Sequence, residues 1–183
     1  MFDVEEYLHL ALHASSRGQH HAAMIYLKEL LKQAPQDARA VYLLAAQHAE
    51  LGMFERAIDG MKAALAIEPA LEMARLQLGL LLLDRHRAAE ARAQFAGLLG
   101  SPSPALHLYA EGLIAAVDGQ WSLARDRLAQ GLALPPANPA LSTLMQRLIE
   151  RLSQGNGAAA NAEPTSDAPA DAVFLGAYRQ ASS

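Results

Sequence analysis

One interval constrains this chain more than any other feature. Pro35 and Pro69 stand 34 residues apart, and the same offset relates Gly18 to Gly52 and Ala23 to Ala57. Three residue types with different steric roles share one period, which marks an internal repeat and not a simple bundle. Few stretches are β-branched or alternate between apolar and polar, so no sheet is expected. Apolar residues make up 52% of the chain but aromatics only 5%. The core must therefore be built from Leu and Ala, the strongest helix formers.

Aligning on this offset yields four units. The first carries Tyr7, Leu10-Ala11, Gly18, Ala23, Leu27 and Pro35. In the second stand Leu44-Ala45, Gly52, Ala57, Met61, Ala64 and Pro69. Leu78-Gly79, Ala91 and Phe95 mark the third, and Gly112, Gly119, Ala124, Leu128 and Pro136 the fourth, offset by 33 from the third. Over residues 4 to 136 the pattern resembles the tetratricopeptide repeat, a helix pair with Leu-Gly, aromatic, Ala and Pro at set spacings. The resemblance implies an all-α fold: a helical solenoid of four tetratricopeptide-like helix pairs plus a C-terminal capping helix.

Each recurring residue has a physical role. Small side chains at Ala11, Ala45, Gly79 and Gly112 let the second helix approach the first, and Ala23, Ala57, Ala91 and Ala124 do the same from the facing side. Gly18, Gly52 and Gly119 fall where a helix must end in a left-handed turn. Prolines close the second helices, because proline disfavours helix at the preceding residue. His86 replaces the turn glycine of the third unit, Ser103 replaces its proline, and Glu111 takes a usually apolar position in the fourth.

A ninth helix is expected after Asn138-Pro139, an N-cap and first-turn pair. Leu141, Leu144, Met145, Leu148 and Leu152 follow at helical spacing, and a polar opposite face makes this helix a solenoid cap. After Ser153 the composition changes to Gly, Ala, Asn, Pro, Ser and Asp. Three regions follow: a repeat domain over 1–153, a disordered linker over 154–172 and an apolar tail motif over 173–183. The motif is carried by Val173, Phe174, Leu175 and Tyr178.

Several classes of function are disfavoured. Net charge is -4 with no basic patch, against nucleic-acid binding. The N-terminus is acidic where a secretory signal would be basic, and the longest aliphatic run, Leu80 to Leu83, is too short for membrane insertion. Absence of cysteine excludes disulfides and fits a cytoplasmic location. His9 and His13 lie four apart near Glu5 and Glu6, but no third ligand has fixed spacing, so they read as a solvated helix face and not a metal site. No Ser/His/Asp set or phosphate loop is present; no catalytic residue and no cofactor is expected. Trp121 stands where Phe54 stands in the second unit and is expected in core packing.

In the family that the repeats resemble, the first helices line a concave groove that holds partners. The matching positions are Glu5, Leu8, Leu12 and Ser15; Arg39, Tyr42, Ala46 and Ala49; Met73, Leu76, Leu80 and Leu83; and Leu106, Tyr109, Leu113 and Ala116. Each set forms one helical stripe. The family's carboxylate-clamping groove uses Lys and Asn, whereas here Leu8, Leu12, Tyr42, Ala46, Leu76 and Leu80 stand. The expected site is thus an open apolar stripe of Leu8, Leu12, Tyr42, Met73, Leu76, Leu80, Leu83, Tyr109 and Leu113, separate from the packing stripe through Leu10, Leu44, Leu78 and Leu82. Such a groove suits a protein or peptide with an apolar segment, the chain's own tail, or a second copy. The functional expectation is a protein-binding adaptor or assembly factor and not an enzyme. Its alternatives are a bacterial secretion-type chaperone for hydrophobic cargo and a self-assembling structural protein.

Overall fold

A computed structural model describes residues 2–135 and 139–155. Among them are nine α-helices and no strand: α1 (Val4–Ser16), α2 (His20–Gln33), α3 (Ala38–Glu50), α4 (Phe54–Ile67), α5 (Glu72–Asp84), α6 (Ala88–Ala96), α7 (Pro104–Val117), α8 (Trp121–Leu132) and α9 (Pro139–Gly155). Each helix packs mainly on its chain neighbours, most closely within the pairs α1–α2, α3–α4, α5–α6 and α7–α8. The result is a solenoid of four helix pairs closed by α9. The ninth helix runs two residues past the Ser153 boundary drawn from composition. The tail motif Val173, Phe174, Leu175 and Tyr178 lies outside the described residues, as does the linker beyond Gly155.

The helix starts follow from local chemistry. Asp3 caps α1 and forms a reciprocal box with Glu6, each bond 2.8 Å long. Asp37 caps α3 through the Ala40 amide at 2.8 Å, and Ser103 caps α7 with Pro104 in its first turn. The serine that replaces the third unit's proline thus opens the next helix. In that unit α6 is only 9 residues long and ends at Ala96, yet Phe95 and Leu98 remain buried beneath it.

Turns within the pairs share one geometry. The amide of Gly52 bonds the Ala49 carbonyl and that of Met53 the His48 carbonyl, at 2.9 and 2.8 Å, with Gly52 at φ +72°. This reciprocal closure recurs at Gly18 (φ +70°) and Gly119 (φ +75°). His86 adopts it as well, at φ +58°, its amide bonding Leu83 and that of Arg87 bonding Leu82. The turn is therefore kept where the glycine is not.

Small residues hold each pair together. A Cβ added at Gly79 would collide with the Phe95 ring, and one at Gly112 would sit 2.8 Å from Leu128 Cγ and 3.0 Å from the Ala124 carbonyl. Ala23, Ala57, Ala91 and Ala124 are fully buried on the opposite helices. Between units the joints are partly polar. The buried Gln47 amide donates to Ser15 Oγ and its oxygen lies 3.0 Å from His20 Nδ1, tying α3 to the first turn. Arg92 reaches Asp118 at 3.0 Å, and Arg87 bonds Glu90, which also meets Lys62.

Trp121 departs from expectation: it is 45% exposed. Its counterpart Phe54 is covered by the Arg85 guanidinium, 4.3 Å from the ring centroid. Trp121 has no comparable cover among the described residues.

Candidate protein-binding face

The stripe begins with helical periodicity. On α5, Met73, Leu76, Leu80 and Leu83 fall within about 80° of one another at 100° per residue, while Leu78 and Leu82 lie roughly opposite. Leu78, Gly79 and Leu82 supply the face that meets the second helix of the unit. The matching stripes of α1, α3 and α7 bring Leu8, Leu12, Tyr42, Tyr109 and Leu113 into the same layer.

The openness expected of this stripe is not what the structure has. Leu8, Tyr42, Leu76, Leu80, Tyr109 and Leu113 are all buried, Leu76 and Leu80 at 0% and 1% exposure. They belong to one apolar cluster with Leu78, Leu82 and Phe95. Leu12, Met73 and Leu83 are half-buried and pack on its edge. Spacing assigns a residue to a helix face, but it does not say what shields that face from water, and here the shielding is nearly complete.

The rim keeps its access. Glu5 and Arg39 are exposed, and with Leu8, Asp37, Ala38, Ile67 and Glu68 they line a cleft of about 440 Å³. Leu8, itself buried, belongs both to this lining and to the stripe. At the other end Tyr109 is bonded to Ser142 of α9, and burial, opposed by that bond, raises its phenol above the ordinary value. The capping helix thereby closes the stripe at its fourth unit.

Sequence reasoning missed two groups. The Ser15–Gln47–His20 network was signalled only by Gln47, a lone amide among Ala and Leu on α3. Gln77 on α5 is buried, and neither of its amide atoms has a hydrogen-bond partner among the described residues. No group of three or more His, Asp or Glu among the described residues could hold a metal ion. No helix among them is long and apolar enough to cross a membrane.

The fold and its inward stripe define a helical-repeat solenoid. No family model matches the chain, and no curated protein matches it in sequence. Solved structures do. TTC0263, a thermophilic TPR protein of Thermus thermophilus, is 25% identical with TM-score 0.64, covering 97% of this chain and 98% of that one. PilW, described as a widely conserved type IV pilus biogenesis factor, is 25% identical with TM-score 0.66, over 84% of this chain and 71% of its own. MamA of Desulfovibrio magneticus RS-1 is 20% identical with TM-score 0.60, over 85% and 92%. The chain is a protein of the tetratricopeptide-repeat type. At the general level this places it among protein-interaction and assembly scaffolds.

Proposed function

We propose that the chain is an adaptor or assembly factor that takes up an apolar peptide or helix along its concave face. The observation that carries this reading is the apolar stripe itself. Leu76 and Leu80 lie on the side of α5 away from its paired helix and are buried in the apolar cluster there. The accessible part of that face is its edge at Leu12, Met73 and Leu83, and an extended or helical apolar segment is the chemistry that fits it. Half-buried Leu12, Met73 and Leu83 form the edge that an incoming segment meets first, and the cleft at Glu5, Leu8 and Arg39 gives it an end to enter. The likeness to a pilus biogenesis factor supports an assembly role without naming the cargo.

The test compares partner capture by full-length protein, Leu83→Glu, and Ile25→Glu, which alters an exposed residue on the outer helix α2. Quantitative mass spectrometry of cross-linked complexes should show the same partners for wild type and Ile25→Glu and their loss from Leu83→Glu. Equal capture by all three removes the concave face from the account.

A further inference from the structure

Two joints between repeats share one register but differ in charge. Where α4 meets α6, Glu90 stands between two cations: Lys62 Nζ lies 3.2 Å from it, and Arg87 bonds its two oxygens at 2.6 and 2.9 Å. Those bonds, that of Arg87 first, hold the Glu90 carboxyl below the ordinary carboxylate value. The 34-residue register carries Lys62 back to Lys28, Glu90 back to Arg56 and Arg87 back to Met53. The joint between α2 and α4 thus sets a cation against a cation at the point where its neighbour holds an anion.

No carboxylate among the described residues pairs with either cation. The one side-chain contact of Arg56 there is to the Met53 sulfur, 3.8 Å from Nη1. The acids of α2 and α4 are engaged elsewhere: Glu29 bonds Lys32 at 2.6 Å, Glu55 meets Arg87 at 3.5 Å, and Asp59 acts on the same guanidinium. Lys28 and Arg56 are exposed, and His48 near the end of α3 is half-buried beside them. Burial first, then the charges of Arg56 and Lys28, holds its imidazole below the ordinary value, so the three groups share one locus. We propose that this joint takes a carboxylate from an acidic segment of a partner protein, held between Lys28 and Arg56 as Glu90 is held between Lys62 and Arg87. A carboxylate fits because the repeat builds around one at the equivalent point. Exposed charges of this kind select and orient a partner more than they add affinity. The contact lies on the outer helices and does not depend on the concave face, so the two readings fail separately.

The probe is a capped tetraglutamate peptide titrated into the full-length protein and followed by side-chain NMR. Saturable shifts are expected at Arg56 Nε, the His48 ring and Lys28 Nζ, with Lys62 unmoved because Glu90 already holds it. Raising the salt from about 10 mM to about 150 mM shortens the Debye length from about 30 Å to about 8 Å and should weaken binding several-fold. Arg56→Glu, which gives this joint the charges of the next, should abolish the shifts at Lys28 and His48 while the helical circular dichroism is kept. Lys28→Gln should weaken binding several-fold. Ile25→Glu should bind as wild type does, since its counterpart Asp59 leaves Lys62 to Glu90. Binding that survives both Arg56→Glu and Lys28→Gln, or equal shifts at Lys62, overturns the proposal. Tighter binding of inorganic phosphate overturns it too, by assigning the joint to a phosphate. So do the same shifts on concentrating the protein without peptide, which would assign the carboxylate to a second copy.

Discussion

His86 holds a backbone conformation that its three counterparts assign to glycine, and relieving it should stabilise the fold. It sits at φ +58° with the same pair of closing hydrogen bonds as Gly18, Gly52 and Gly119. A left-handed conformation costs a residue with a Cβ about 1 to 2 kcal/mol. Glycine avoids that cost but gives the unfolded chain more freedom, which returns about 0.4 to 1 kcal/mol. His86 is exposed and no hydrogen bond of its side chain is found among the described residues, so nothing else is lost. His86→Gly should thus gain about 0.5 to 1 kcal/mol, the difference of those two terms. For a domain of this size that is roughly 1 to 4 °C in Tm. The reverse change, Gly52→His, should lose a similar amount and little more, because a Cβ at Gly52 meets nothing within 4 Å. Urea unfolding followed by circular dichroism reads both. A His86→Gly protein that is less stable than wild type would refute the strain argument and show that the imidazole itself supports the turn.

Other changes test packing and charge. Gly112→Ala places a methyl 2.8 Å from Leu128 Cγ and 3.0 Å from a backbone carbonyl that cannot move freely; a loss of about 1 to 3 kcal/mol is expected by chemical denaturation. Gln77→Leu removes two buried amide atoms without partners among the described residues, and should gain about 1 to 3 kcal/mol, visible as a raised Tm. The His48 imidazole is held below its ordinary value of 6.5 by burial first, then by Arg56 and Lys28. Because its folded value is depressed, its contribution is complete above pH 6.5 and is lost as pH falls toward the folded value. His48→Gln should flatten that part of the stability profile, measured by urea titrations across pH.

Much of the fold is legible in the sequence because the repeat demands particular residues at points of close approach. The interval joining Gly18 to Gly52 located two turns, and the small residues from Ala11 to Gly112 located the helix contacts. The turn at His86 was harder, since a histidine there carries no signal of positive φ apart from the register. The site was only half readable. Periodicity placed Leu76 and Leu80 on one face, and they are on one face, but burial depends on what lies over that face. Trp121 shows the same limit from the other direction. Its register matches Phe54, yet Phe54 is covered by Arg85 of the following unit, a neighbour that register alone does not supply.

The central claim is that the concave face takes up an apolar segment of a partner at its accessible edge. Leu76 and Leu80 are buried in the apolar cluster, and Leu12, Met73 and Leu83 are half-buried beside them. The direct measurement is partner capture by the full-length protein, with Leu83→Glu set against Ile25→Glu on the exposed side of α2. A glutamate at the half-buried edge should leave unfolding in urea cooperative and within about 2 kcal/mol of wild type, the size of a typical single-residue loss, while capture is lost. Capture that survives Leu83→Glu in the folded protein contradicts the account.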